Sequence, residues 1–227
     1  MPIRALLFDF DGLIVDTETP AFQSWQEIFA EYGVELSVHE WGIALGANGT
    51  FDAIAHLVAR LRERDPRLAD EVRAAQTTIL ARRQARKDAL SAAQPLLPGV
   101  LTLLTEARAA SIPCAIASSS SQRWVEGWLH WLGIRNYFAA VVTADDVIAT
   151  KPAPDLFLTA AARLGRSPAE CLVLEDSPNG IRAARAAGCP VVAIPGAISR
   201  QLPLPPADLV LPDLTHTSLS ALQAIFS

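Results

Sequence analysis

The stretch Ile3-Arg4-Ala5-Leu6-Leu7-Phe8 runs directly into Asp9-Phe10-Asp11-Gly12. A short apolar run stopped by an acidic Gly turn predicts a buried strand. Two carboxylates, two residues apart, follow it. Open parallel sheets bind their ligands in the crevice beyond the carboxyl ends of the strands. A carboxylate pair at that edge can divide its labour. One Asp attacks as a nucleophile while the other moves a proton.

The same apolar pattern recurs downstream. Residues 113–117, 140–143, 171–174 and 190–194 read as further buried strands, and 209–211 as a weaker sixth. Helical stretches separate them at 100–110, 122–132, 155–164 and 180–187. Strand–helix alternation with short turns predicts the α/β class, as a doubly wound parallel sheet. Gly133, Gly165 and Gly188 each follow a helical stretch and suit helix stops. Between β-type segments one and two the pattern changes. Phe22, Trp25, Ile28 and Phe29 recur at helical spacing, and residues 67–93 form an Ala/Arg/Gln-rich tract that predicts one long helix. We therefore expect two domains. A sheet-bearing core comprises residues 1–16 plus 94–227, and an all-α insert comprises 17–93. Pro95 and Pro98 make the second exit of the insert a stiff hinge.

The 227 residues are 51% hydrophobic, enough for a sizeable core. A net charge of −5 argues against a nucleic-acid or anionic-membrane surface. No apolar run reaches the roughly 20 residues that span a bilayer. The apolar start is too short for a signal-peptide core, so a cytoplasmic location is expected. Cys114, Cys171 and Cys189 lack CxxC spacing and read as buried thiols in a reducing compartment. His39, His56, His130 and His216 lack ligand spacing and read as structural or surface residues. Trp124, Trp128 and Trp131 form a helical stripe, expected to be core or a covered helix face, with a partner surface as the alternative.

Four chemistry-bearing segments fall at the carboxyl edges of the expected strands. They are Asp9 with Asp11, the run Ser118-Ser119-Ser120-Ser121, Lys151 before Pro152, and Glu175-Asp176. A doubly wound sheet converges these edges on one crevice. Crowded carboxylates repel unless a hard cation neutralises them, and oxygen ligands in a small hydrated site suit Mg²⁺. A hydroxyl, an ammonium and the N–H groups of a helix start would bind phosphoryl oxygens. Plainer readings exist beside these. Ser118 could serve as a helix N-cap, Lys151 as a solvated loop residue, Asp16 as a loop brace and Asn179 as a turn residue. Arg82, Arg83 and Arg86 could form a solvated face.

These residues resemble the four motifs of the haloacid dehalogenase-like superfamily. The motifs are Asp9-Phe10-Asp11-Gly12-Leu13-Ile14-Val15-Asp16-Thr17, Ser118, Lys151-Pro152 and Glu175-Asp176, in that order along nearly the whole chain. Leu174-Glu175-Asp176-Ser177 with Gly180, Ala183-Ala184 and Ala187-Gly188 is similar to the β-phosphoglucomutase-like phosphatase branch, which carries a helical cap after its first strand. The resemblance implies a Rossmann-like core under a helical cap. It implies that Asp9 is the nucleophile and becomes an aspartyl-phosphate. Asp11 would be the general acid for the leaving group and then the base for water. Mg²⁺ would be held by Asp9, the Asp11 carbonyl and Asp176, with Glu175 as a further ligand or helper. Ser118, with Ser119 sharing the role, and Lys151 would bind the phosphoryl oxygens. Glu18 and the cap loop at Asn48 and Gly49 would meet the substrate.

The expected activity is Mg²⁺-dependent hydrolysis of a small phosphorylated metabolite, a sugar phosphate or a related compound, by a monomer or a dimer. Sugar-phosphate mutases of the branch carry a His where this chain has Ala21, and an Arg where it has Asn48-Gly49-Thr50. Loss of a cation should weaken a distal phosphate, which favours water as acceptor over the mutase alternative. A dehalogenase would need neither a proton for an alkoxide nor the Mg²⁺ that Asp11 and Asp176 imply. A non-catalytic phospho-acceptor switch would not need a large helical insert.

Overall fold

The structure is a computed structural model that describes residues 2–43, 45–46 and 51–227. Six parallel strands form one sheet: β1 (Ala5–Phe8), β2 (Cys114–Ala117), β3 (Phe138–Val142), β4 (Cys171–Glu175), β5 (Val191–Ala193) and β6 (Leu209–Val210). Their spatial order is β3-β2-β1-β4-β5-β6. The chain winds outward from β1 to β3 and then restarts at β4 on the other side of β1. The crevice between β1 and β4 is therefore the topological switch point.

Alternation along the strands divides the core into two layers. Leu6, Phe8, Ile116, Leu172, Leu174 and Val192 face one apolar cluster, which α6 (Val100–Ala109), α7 (Gln122–Trp131) and α10 (Leu219–Ile225) complete. Ala5, Leu7, Ala115, Val173 and Val191 face the other, completed by α8 (Asp155–Arg163) and α9 (Pro178–Ala187). Small residues dominate this second face, so α8 and α9 lie close to the sheet. Gly133, Gly165 and Gly188 follow their helices at φ of 70°, 64° and 78°.

Between β1 and α6 the described residues form five helices: α1 (Glu18–Glu31), α2 (Val38–Trp41), α3 (Ala53–Arg62), α4 (Pro66–Ala74) and α5 (Gln76–Ser91). They enclose an apolar cluster of their own, with Phe22, Trp25, Phe29, Trp41, Leu57, Leu61, Val72 and Ile79 buried in it. The tract expected to be one helix is two, interrupted at Ala75. No helix breaker marks that point. α4 buries Ala69 and Val72 beside α3, whereas α5 lies against α1, and two different partners require two axes. Entry and exit of the insert are tied together, since Val15 bridges Leu96 and the Leu97 N–H donates to the Ile14 carbonyl at 2.9 Å. Among the described residues no helix is long and apolar enough to cross a membrane.

Candidate active site

Two strand ends bring the acidic residues together, and one loop adds Lys151. Asp9 directly follows β1, and its N–H donates to the Leu174 carbonyl of β4 at 3.0 Å. The turn behind it closes through the Gly12 N–H to the Val15 carbonyl at 2.8 Å. Glu175 ends β4, and Asp176 follows it. Lys151 arrives from the loop after β3 and is fully buried. Its Nζ donates to Asp9 Oδ1 and to Glu175 Oε2, the latter at 2.8 Å. Glu175 Oε1 accepts from the N–H groups of Asp176 and Ser177 at 3.1 and 3.0 Å and from Ser177 Oγ at 2.8 Å. Both oxygens of Glu175 are thus engaged. Asp176 differs: Oδ2 accepts only a long 3.4 Å contact from Ser199 Oγ, and Oδ1 is buried with no hydrogen-bond partner among the described residues.

The electrostatics follow from this crowding. Burial, and then the Glu175 charge, push the Asp9 carboxyl up to about 7 against the opposing pull of Lys151. Burial and the charges of Glu175, Asp9 and Glu18 push Asp176 well above the usual carboxylate range. Burial opposes the Lys151 ammonium, but Asp9 and Glu175 outweigh it and hold the group above its ordinary value. Three carboxylates against one ammonium leave an excess of negative charge in a buried site. One oxygen each from Asp9, Glu175 and Asp176 lies within 4.8 Å of the others. With an unpaired buried oxygen on Asp176, this donor set fits a hard divalent cation.

Asp11 is held separately, at the edge of the cluster. Its Oδ1 accepts from Thr17 Oγ1 at 2.6 Å and from Trp124 Nε1 at 2.9 Å. Its Oδ2 accepts from Ser120 Oγ at 2.6 Å, with Ser118 Oγ at 3.4 Å. Ser118 is buried, and it also receives the Ser120 N–H at 3.1 Å. The helix-capping role falls to Ser121, whose side chain accepts from the Trp124 N–H. Ser119 turns elsewhere and donates to the Gly46 carbonyl at 3.0 Å. In the sequence Thr17 belongs to the first motif, Ser120 to the serine run and Trp124 to the helical stripe, and none of the three was expected to contact Asp11. The run of four serines was the only signal for Ser120, and the spacing of the Trp stripe gave none for an indole N–H on Asp11.

Glu18 stands at the start of α1, half-buried. Burial and the Asp11 charge push its carboxyl up to about 8, against the pull of Lys87. Of the three arginines, Arg82 pairs with Glu31 and Arg86 with Glu27 at the surface. Arg83 turns inward, donating to the Ala21 carbonyl at 3.1 Å with its guanidinium over the Trp25 ring. Asn179 is a hydrogen-bonder, donating to the Leu45 carbonyl at 2.8 Å. Asp16 Oδ1 accepts from the Thr19 N–H at 2.9 Å, so it braces the start of α1. The four His lie outside the cluster: His56 pairs with Glu40 and His216 with Asp213, both away from the strand ends. Asn48 and Gly49 lie outside the described residues.

Residues 3–188 match the family model of haloacid dehalogenase-like hydrolases. The chain is 37% identical over 220 residues to the protein named "Putative phosphatase YhcW" of Bacillus subtilis (strain 168), covering 97% of this chain and 96% of that one. It is 36% identical over 189 residues to the fructose-1-phosphate phosphatase YqaB of Escherichia coli (strain K12), covering 83% and 95%. A crystal structure of β-phosphoglucomutase from Clostridium difficile superposes with a TM-score of 0.71 over 99% of this chain and 97% of that one. At 21% identity that likeness is one of fold. With the ordered motifs, the switch-point crevice and the helical insert after β1, these matches place the chain: it belongs to the haloacid dehalogenase-like hydrolase family, as a phosphatase.

Proposed function

We propose that the protein is a Mg²⁺-dependent phosphatase of small phosphomonoesters, foremost sugar phosphates, and that it works through an aspartyl-phosphate on Asp9. The observation that carries this reading is the buried Asp9–Lys151–Glu175 chain beside the unpaired Asp176 oxygen. A carboxylate oxygen of Asp9 attacks phosphorus, forming the Asp9–O–P bond as the P–O bond to the alcohol breaks. Asp11, as the general acid, gives a proton to the departing oxygen. A water then attacks phosphorus, Asp11 takes the proton of that water, and Asp9 leaves as a carboxylate with release of inorganic phosphate. Lys151 and Ser118 hold the non-bridging oxygens, with Ser119 contributing through its backbone. Glu175 keeps the Lys151 ammonium in place. Mg²⁺ would be held by Asp9, Asp176 and the Asp11 carbonyl, with Glu175 adjoining, and would neutralise charge on the phosphoryl group.

The core of 1–16 plus 94–227 and the helical domain of 17–93 are read here as a catalytic base and a lid. Opening of such a lid precedes product release. Glu18 and the segment containing Asn48 and Gly49 are the proposed substrate contacts from the lid. The relative named fructose-1-phosphate phosphatase supports a sugar phosphate as substrate. Three unpaired, buried thiols support a cytoplasmic setting.

A Mg²⁺-dependent phosphate-release screen across sugar phosphates, nucleotides and small acid phosphates tests the reading. Asp9→Asn should abolish turnover, and EDTA should inhibit it. Full activity after thorough metal removal, or in Asp9→Asn, would overturn it. A mutase is the second reading, because Arg83 brings a cation to the Ala21 backbone. Conversion of β-glucose 1-phosphate to glucose 6-phosphate faster than phosphate release would establish it.

A further inference from the structure

Asp11 is 113 positions from Trp124 in sequence, yet the indole Nε1 donates to its Oδ1 at 2.9 Å. We propose that Trp124 is a positioning residue for the proton-transfer step, fixing the plane of the Asp11 carboxyl so that it meets the leaving oxygen.

The ring is itself held. Trp128 packs edge-on against it at 5.8 Å between centroids, with planes at 70°. The Lys87 ammonium of α5 sits 4.4 Å from the ring centroid, a cation–π contact that crosses from the helical insert to the core. Without these, a ring lining an open groove of about 430 Å³ would be free to turn. Two donors on Oδ1 and Ser120 on Oδ2 grip the carboxyl from both ends. Thr17 and Ser120 are small hydroxyls that can rotate to other partners. The indole N–H is a rigid donor with one direction and no acceptor capacity. Among these donors it alone has its direction fixed by a ring. A donor locked by its own neighbours is how a supporting shell preserves the geometry of a reacting group. The Lys87 contact also makes the orientation of Asp11 sensitive to where α5 sits, so seating of the insert and readiness for proton transfer become one event.

The inference rests on the proposed role of Asp11, and the test separates the two. Trp124→Phe keeps a ring beneath Lys87 and removes the N–H. An alkyl phosphate needs a proton on its departing alkoxide, whereas p-nitrophenyl phosphate releases a stable anion without one. We expect kcat/KM for the alkyl ester to fall on the order of 10- to 100-fold, a part of the ~10²–10⁴-fold that general acid catalysis supplies. The loss on p-nitrophenyl phosphate should be at least tenfold smaller. A purely structural role would lower both alike, and equal losses, or no loss on either ester, would overturn the inference while leaving the phosphatase reading intact. Failure of the native chain to hydrolyse any phosphomonoester would overturn that reading. The hydrogen bond is checked without turnover by the ¹⁵N-indole resonance of Trp124, assigned by its loss in Trp124→Phe. It should move in Asp11→Ala, and an unmoved resonance would overturn the contact.

Discussion

Gly12 is a tight point of the site. It adopts φ of +87°, and a Cβ there would run into the Asp176 carboxylate, with Cγ at only 2.8 Å. The left-handed conformation alone costs an L side chain about 1–2 kcal/mol. Gly12→Ala should therefore lose at least that much unfolding free energy in urea, and displacement of Asp176 should lower turnover by tenfold or more. Unchanged turnover would mean that the position of Asp176 is immaterial. Lys151 sets the opposite problem, a charge that belongs where it is. It lies buried between Asp9 and Glu175. Removing one member of a buried ion cluster leaves the others uncompensated, at about 3–5 kcal/mol. Lys151→Met should show a loss of that size by urea unfolding at neutral pH, and added Mg²⁺ should offset part of it. A loss below about 1 kcal/mol, as exposed pairs give, would mean that the cluster does not carry the charges assigned to it.

The short helix α2 is fastened by a reciprocal cap, with the Ser37 N–H and Oγ donating to Glu40 Oε2 at 2.9 and 2.6 Å and the Glu40 N–H returning to Ser37 Oγ at 3.2 Å. Arg60 and His56 of α3 reach the other Glu40 oxygen. The Ser37 hydrogen bonds, and then His56, pull the Glu40 carboxyl from 4.5 down to about 2. A folded value below the unfolded one means that this stabilisation is complete above about pH 4.5 and disappears as pH falls through about 2. Glu40→Gln should cost on the order of 1 kcal/mol at pH 7, as capping residues do. The gap to the parent protein should narrow steadily in urea titrations from pH 5 to about pH 2. A gap independent of pH would sink the assignment. The elements were not equally legible beforehand. The strands announced themselves because a strand buried on both faces must be apolar at every position, as in Leu6-Leu7-Phe8 and Leu172-Val173-Leu174. The break at Ala75 did not, because its flanks carry no Gly or Pro and the decision was made by α3 and α1. Of the site, the acidic and Lys segments could be placed together from their strand ends. Trp124 on Asp11 could not, since periodicity identifies a helix face but not which polar atom on it meets a residue of a distant loop.

At the scale of the whole molecule, the order of the sheet and the position of the insert act together. Because β1 is central and β4 adjoins it, the two acidic strand ends are neighbours. Because the insert leaves directly after β1, its helices begin at Thr17 and Glu18, beside Asp11. Two strands of connecting chain, bridged at Val15 and Leu96, carry the insert. Among the described residues it is also fastened to the core by Asn179 to the Leu45 carbonyl, Ser119 to the Gly46 carbonyl, Lys87 over the Trp124 ring, and Ile198 and Leu202 packing on the apolar cluster of the insert. In the lid role proposed above, a unit with its own core moves as a body, and the strength of these ties sets how often it is closed. A single hydrogen bond contributes about 1 kcal/mol net, and apparent affinity scales with the population of the binding-competent state. Asn179→Ala should therefore raise KM by up to about fivefold, the factor that 1 kcal/mol represents. Unfolding free energy should change by less than about 0.5 kcal/mol, as for substitutions outside a packed core. The measurement is a pair, KM from phosphate release and stability from urea unfolding. An unchanged KM, or a rise matched by an equal loss of stability, would show that Asn179 supports the fold of α9 rather than closure of the insert over Asp9 and Asp11.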